Sequence, residues 1–549
     1  MTIQVETLTQ AKQSALTQVQ LLQNLIPPTV SYTTQGNVLV IGAEDLARLA
    51  ADRLSAMGRV AILATESITS QDAEHLEAVM NAAEDVPTFY AKLDKLKGFL
   101  GQFQAQVTLE NGDAAELSQV AIRKPHFDIV LDLSSEPVIT LEMLPPGYFF
   151  VGQDQALLDD AIAQLPDLVG EFSKPRYIKV NSDICAHYRN GNNGCNRCLN
   201  FCPADAISSS EQTIEIDPYL CHGAGSCSNA CPTGALAYDA PAPEALHKYL
   251  AGLIAHFGNQ SQASPSILLH DVDLDSDVVQ QLPAHILPVA LEEITVAGID
   301  HWFAALANGA QQIALLTSAN TPDTLQQYLA GEVALANTML SAATNTQSVA
   351  IVALDSLLTY QWPDAIAFAP ALTEAVSDNK RARLYQGLDA INNANKQTAE
   401  TLAIANIPYG QVAVNQADCT LCLSCVSTCP TGALKDGGDK PQLKFTEQDC
   451  IQCGLCQTAC PEQVISLTPQ VTFDAAARQQ TQILKEEQPF DCIKCGKPFA
   501  TQAMVSKIMK LVGTHSAFEG HSDRLQMCED CRTKDLFQDI LQDPERQLR

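Results

Sequence analysis

The chain has 549 residues, 46% of them hydrophobic, with 33 basic against 63 acidic side chains and a net charge of −30. That length exceeds what one core serves and implies roughly three to five domains. The acidic excess argues against nucleic acid or an anionic membrane as partner and suits docking on a basic protein face. With no run of 18 apolar residues, membrane insertion is not expected.

In chain order, the start MTIQVETLTQAKQ has neither a charged segment ahead of an apolar one nor a twin arginine, so a cytoplasmic protein is expected. Residues 1–25 read as a helix that stops before Ile26-Pro27-Pro28. Residues 37–66 read as strand, helix, strand, with an apolar run at 38–41, Gly58 as the stop and a second strand at 60–64. This opens a Rossmann-like unit, yet its turn keeps only Gly42 and places Glu44 and Asp45 where a pyrophosphate needs bare backbone. A plain scaffold is therefore favoured over a dinucleotide site. FDIVLDL (127–133) and GYFFVG (147–152) extend the sheet, which gives a first domain over 1–172.

Residues 173–240 carry seven cysteines. Cys185, Cys195, Cys198 and Cys202 come first, with nine residues, AHYRNGNNG, in the first gap; their Gly and Asn content suits an exposed loop. Cys221, Cys227 and Cys231 follow, with Ala224 where a regular pattern would place another cysteine. Residues 241–400 contain no cysteine and alternate strands and helices: SILLHDVD (266–273), HILPVALE (285–292), a helix near 298–308, QQIALLTS (311–318) and SVAIVAL (348–354).

Residues 401–470 hold the strongest signal. CTLCLSCVSTCP and CIQCGLCQTACP are two copies of C-x2-C-x2-C-x3-C-P, the bacterial ferredoxin pattern. Three cysteines on a tight loop take three corners of one cube, and the fourth, set off by three residues and a proline, reaches the neighbouring cube. Cys419, Cys422, Cys425 and Cys460 are thus expected to hold one [4Fe–4S] cluster, and Cys450, Cys453, Cys456 and Cys429 another. The same crossing assigns Cys185, Cys195, Cys198 and Cys231 to a third. Cys202, Cys221 and Cys227 remain for a [3Fe–4S] cluster, an incompletely ligated [4Fe–4S] cluster, or none; His222 is read as a loop residue. CSNACPTGAL and CVSTCPTGAL mark the two modules as an internal repeat, and TIEID (213–217) and QLKFT (442–446) are the strands leading into each second motif.

The tail, 471–549, pairs Cys492-x2-Cys495-Gly-Lys with Cys528-x2-Cys531. Two such knuckles make a four-cysteine zinc site, with a further cluster as the alternative. TQAMVSKIMKLVG between them reads as a helix, and His515 and His521 as surface residues. All nineteen cysteines fall into motif groups, which favours metal binding over disulfides. The fold expected is an α/β and α+β multidomain chain. Two dicluster ferredoxin-like modules alternate with cysteine-free α/β scaffold domains, and a zinc-type tail closes it.

On CNRCLNFCPADAI, CSNACPTGAL, CTLCLSCVSTCPTGAL, CIQCGLCQTACP and CIKCGKPFA the chain resembles a proteobacterial family of multi-cluster 4Fe–4S proteins. Members resemble components found with formate dehydrogenase systems, which implies an enzyme of that kind as redox partner. The strand order of 241–400 resembles the delta subunit of hydrogenases that associate with heterodisulfide reductase, without the cysteines of its [2Fe–2S] site. An electron carrier or oxidoreductase subunit is the first expectation, with no catalytic residue of its own. A maturation or redox-sensing protein, or an electron-input subunit with a flavin or nicotinamide on 37–66, are the alternatives.

Overall fold

The computed structural model describes residues 5–21, 28–68, 72–109, 112–210, 212–344, 348–372, 374–395, 401–438, 440–512 and 521–542. Val38–Ala43 is apolar at nearly every position because it lies at the centre of a parallel sheet covered on both faces. The strands stand in the order Thr88–Tyr90, Val60–Glu66, Val38–Ala43, Ile129–Asp132, Tyr148–Phe150, all parallel. Alternate residues feed two cores. Val38, Val40, Ile62 and Leu131 pack on the helices Glu44–Asp52 and Gln155–Gln164. Leu39, Ile41, Leu63 and Val130 pack instead on Phe103 and on Ala105 and Val107 of an antiparallel meander formed by Lys92–Lys97, Gln104–Thr108 and Ala114–Glu116.

The turn after the first parallel strand is filled by protein. A Cβ on Gly42 would stand 2.8 Å from the Cβ of Leu133, so the glycine serves a close strand approach. Glu44 is buried and accepts from Arg48 Nε at 2.9 Å.

A second parallel sheet has the order Ile286–Ala290, Ser266–His270, Gln312–Thr317, Val349–Ala353. Its helices are Pro243–Ser261, Ile299–Ala307, Asp323–Thr344 and Lys380–Asn395. The N-terminal helix, described from Val5 to Gln18, does not pack on the first sheet. It buries Leu8, Ala11 and Ala15 in the core of this second unit, with Ser14 Oγ 2.9 Å from His256 Nε2. That core also takes in Ile178, Cys198, Cys227, Cys231 and Leu236, so the first cysteine module shares its apolar interior with residues 243–391.

Both cysteine modules are small antiparallel units. In the first, Ile178–Val180 pairs with Leu236–Tyr238 and Ile207–Ser209 with Ile214–Ile216. In the second, Ile465–Thr472 pairs with Thr401–Ala403 and Gly410–Val414, and Lys440–Phe445 lies between Leu434–Gly437 and Gln482–Glu486. The second module has two short helices, Ser424–Ser427 and Leu455–Thr458. In the first, Ser226–Ala230 is helical, and a 3-10 turn at Arg197–Asn200 replaces the other helix. The first parallel-sheet unit reaches the first module through the ribbon of Thr29–Thr34 and Gly170–Pro175. From that ribbon the Tyr32 hydroxyl donates to the Tyr219 carbonyl at 2.7 Å, and Phe99 stacks on the Tyr219 ring at 4.6 Å. Among the described residues no helix is long and apolar enough to cross a membrane.

Candidate metal centres

The loop that carries each cysteine triple has a backbone signature. In Cys419–Cys425 the residues on either side of the middle cysteine, Leu421 and Leu423, have positive φ, 54° and 60°. In Cys450–Cys456 the same places are Gln452 and Gly454, at 53° and 83°. These left-handed residues turn the chain so that successive thiols face one point. They are held against their steric cost by the surrounding fold. In Cys221–Cys227 the pattern recurs at Gly223 and Gly225, φ 86° and 75°, around Ala224. The loop therefore keeps the conformation and lacks only the thiol. Glycines flanking residue 224 were a readable sign of this.

In each module, thiols from both motifs come near enough to influence one another. Cys231 neighbours Cys185, Cys195 and Cys198, and burial, then Cys231, Cys195 and Cys185, push Cys198 up to about 12. Cys227 is raised by burial and then by Cys221 and Cys202. Burial, followed by Cys422, Cys419 and Cys460, takes Cys425 up to about 12. Cys453 also rises to about 12, by burial and then Cys429 and Cys450, and Cys456 is raised by burial with the same group as neighbours. Crowded, buried thiols of this kind keep their protons until a cation is present, because metal binding releases them.

Around Cys419, Cys422, Cys425 and Cys460 the chain leaves a cavity lined by Val414, Leu421, Leu423, Leu443, Val464 and Ile465. Four thiols converging on an apolar cavity fit a cubane. Several N–H groups aim at sulfur: Ala206 N to Cys202 Sγ at 3.3 Å, Leu236 N to Cys231 Sγ at 3.5 Å, and Gln452 Nε2 to Cys450 Sγ at 3.3 Å. Bonds of this type set the potential of a bound cluster.

The set of Cys202, Cys221 and Cys227 is braced by side chains distant from it in sequence. Lys174 Nζ donates to the carbonyls of Tyr219 and Cys221 at 2.6 and 2.9 Å, and the Thr295 hydroxyl donates to the Ala224 carbonyl. Burial and then Lys174 lower the His222 imidazole below its ordinary range, against a hydrogen bond with the Leu144 backbone that acts to raise it. Sequence reading missed Lys174 and Thr295, because neither lies near a cysteine in the chain.

In the tail, the hairpin of Pro489–Asp491 and Pro498–Thr501 presents Cys492 and Cys495, and the helix Glu529–Gln542 presents Cys528 at its start and Cys531 in its first turn. The Gly496 N–H donates to the Cys492 carbonyl at 2.8 Å, closing the knuckle. All four Sγ atoms lie within 4.8 Å of one another, with Cys495 and Cys528 3.7 Å apart. Among the described residues no second set of metal-binding groups draws together this closely. Burial acts to raise the Cys492 thiol, but the N–H groups of Cys528, Cys495 and Lys494 outweigh it and bring it to about 6. Helix Gln502–Val512 lies against the second module: Thr501 Oγ1 donates to the Thr420 carbonyl at 3.2 Å, and Lys507 pairs with Glu462. His515 falls outside the described residues.

These centres are those of an iron–sulfur protein. A family described as 4Fe-4S dicluster domain matches residues 193–235, and a second of the same description matches 418–465. A protein of Hydrogenibacillus schlegelii named Ferredoxin 7Fe is 34% identical over 53 residues, which span 68% of that protein and 10% of this chain. The chain belongs to the ferredoxin-type iron–sulfur proteins.

Proposed function

We propose that this is an electron-transfer protein with four iron–sulfur clusters and one structural zinc ion, relaying electrons to or from a redox enzyme. The observation that supports the reading is the mutual nearness of buried thiols within two stretches matched as 4Fe-4S dicluster domains. On this reading fifteen cysteines form four crossed sets, three of four thiols and one of three. Bound clusters of this class take up and release single electrons. The chain's own part is to hold the sulfurs, direct N–H groups at them and keep water out with residues such as Leu421, Leu443 and Ile465. Cys422 is exposed, which brings the outer set of the second module to the surface where a partner docks. The acidic chain suits a basic partner face. Its resemblance to proteins found with formate dehydrogenase systems makes such an enzyme the first partner to test.

Three thiols around a loop with Ala224 at the fourth corner suit a [3Fe–4S] cluster. In the tail, a single tetrahedral zinc with bonds of about 2.3 Å sets its sulfurs about 3.8 Å apart. A cubane spreads its cysteine sulfurs to about 6 Å. The 3.7 Å between Cys495 and Cys528, with all four sulfurs within 4.8 Å of one another, supports the first geometry. Cys528→Ala is therefore expected to remove about one zinc per chain and leave iron unchanged, by metal analysis of the purified variant. A matching loss of iron would mark the tail as a cluster site.

Anaerobic redox titration followed by electron paramagnetic resonance tests the relay. Reversible reduction and reoxidation with no loss of iron is the expected result. Ala224 also favours a second reading, maturation or redox sensing through an open-cornered cluster. Iron released from the three-cysteine set in a single mild oxidation would support that reading and overturn the relay. Failure of formate dehydrogenase with formate to reduce the chain would remove that partner alone.

A further inference from the structure

The nine residues between Cys185 and Cys195 have no counterpart in the second module's spacing. They fold into a hairpin in which Tyr188 pairs with Asn193 and Arg189 with Asn192. Asn190 and Gly191, with φ of 50° and 80°, make the tight turn. His187 fixes the base, its Nδ1 2.9 Å from the Cys195 carbonyl oxygen and its Nε2 2.6 Å from Ser209 Oγ.

The hairpin's other side meets the second module. Asn190 Nδ2 donates to the Ser427 carbonyl at 3.3 Å, within the helix that carries Cys425. Gly194 is confined from both sides: a Cβ there would stand 2.5 Å from the Ala186 carbonyl oxygen of the hairpin itself and 2.6 Å from Leu455 Cγ across the seam. Just beyond, Arg197 Nη1 donates to the Asn406 carbonyl at 2.8 Å. The start of helix Lys380–Asn395 spans the same seam. Lys380 Nζ donates to the carbonyls of Ser228 and Asn229 at 2.8 and 2.6 Å, while Arg381 donates to those of Gln448, Pro408 and Cys450. Inside the seam Cys195 neighbours Cys453. Within the modules Cys227 neighbours Cys198, and Cys456 neighbours Cys425.

We infer that the 186–194 hairpin is a docking element that seats the first module on the second, sets Cys195 against Cys453, and so joins all four cysteine sets in one row. The row runs from Cys202–Cys221–Cys227, through Cys185–Cys195–Cys198–Cys231 and Cys429–Cys450–Cys453–Cys456, to Cys419–Cys422–Cys425–Cys460. This rests on the relay reading and deepens it. A loose seam would leave two separate pairs, and a closed one makes a single path with ends at Cys221 and Cys422.

The test uses the full-length, iron-loaded protein, fully reduced, and pulsed electron paramagnetic resonance relaxation of the second module's signals. In the parent protein these signals are expected to relax faster than in Gly194→Val, whose side chain meets both Leu455 and the hairpin's own Ala186 carbonyl and so unseats the hairpin, with iron content equal in the two. Should valine strip iron, a chain with AHYRNGNNG cut to two residues gives the same comparison with cysteine ligands at regular spacing. Unchanged relaxation at full iron content in either variant overturns the docking role. A parent protein with no reversibly reducible iron would instead overturn the relay reading on which it rests.

Discussion

Cys429→Ser is expected to remove the cluster of Cys450, Cys453 and Cys456 and to spare that of Cys419, Cys422, Cys425 and Cys460. In sequence Cys429 closes the first motif, four residues after Cys425. In space it belongs with the other triple: it stands beside Cys450, Cys453 and Cys456 and raises each of them. The short helix Ser424–Ser427 turns the chain between the two sets, and Thr431 Oγ1 lies 3.8 Å from Cys429 Sγ. Iron is expected to fall by about four per chain, or by about one if the cluster persists in three-iron form. Cys460→Ser is the reciprocal case. Because metal binding supplies folding free energy to units this small, each variant is also expected to unfold at lower denaturant. Resonance spectra of the two variants decide the matter, since the surviving signal must differ between them. The same surviving signal in both would contradict the crossed arrangement.

Arg383→Leu is expected to destabilise the central unit by about 3–5 kcal/mol, the cost of leaving a buried charge without its partner. Arg383 is 0% exposed and Asp300 2%. The guanidinium meets Asp300 Oδ2 through Nε at 2.9 Å and Nη2 at 2.7 Å, and its Nη1 donates to the carbonyls of Ser377 and Asp378. Burial would raise the Asp300 carboxyl, yet His301 and Arg383 hold it well below the usual carboxylate range. The folded pKa is thus depressed, so the stabilisation is fully present above the unfolded pKa of about 4 and is lost as pH falls below it. Leucine at 383 should flatten that acid limb. Asp300→Leu together with Arg383→Leu should cost less than Arg383→Leu alone, since no unpaired charge remains. Both tryptophans, Trp302 and Trp362, lie in this unit, so intrinsic fluorescence in a denaturant titration reads its unfolding. A change under about 0.5 kcal/mol would show the pair to be dispensable. Helix Lys380–Asn395 carries Arg383 along with Lys380 and Arg381, so the pair also anchors the bracket across the seam between the two modules.

What could be read from sequence followed the strength of local constraint. Parallel strands such as Val38–Ala43 and Gln312–Thr317 announce themselves because burial on both faces demands unbroken apolar runs. The meander on the first sheet did not, since Lys92–Lys97 alternates lysines with Leu93 and Leu96 over one short edge and buries little. The helix Val5–Gln18 was legible, but not its partner more than two hundred residues away, because a stripe of Leu8, Ala11 and Ala15 suits many surfaces. For the metal centres, cysteine spacing predicts the ligand sets and their crossing, while the contacts of Lys174, Thr295 and Arg381 are tertiary ones that no spacing encodes. AHYRNGNNG read as an exposed loop through its Gly and Asn content. Its Asn-Gly pair was also a hairpin signal, and only packing on Leu455 gives that hairpin a task.

Four bound clusters and one zinc ion are proposed. Iron, sulfide and zinc analysis of anaerobically purified protein, with electron paramagnetic resonance as isolated and after dithionite, tests that content directly. About fifteen irons, one zinc, a three-iron signal before reduction and cubane signals after it are the results expected. Zinc in place of iron across the crossed sets, or protein with full zinc and no paramagnetic signal in either state, would contradict it.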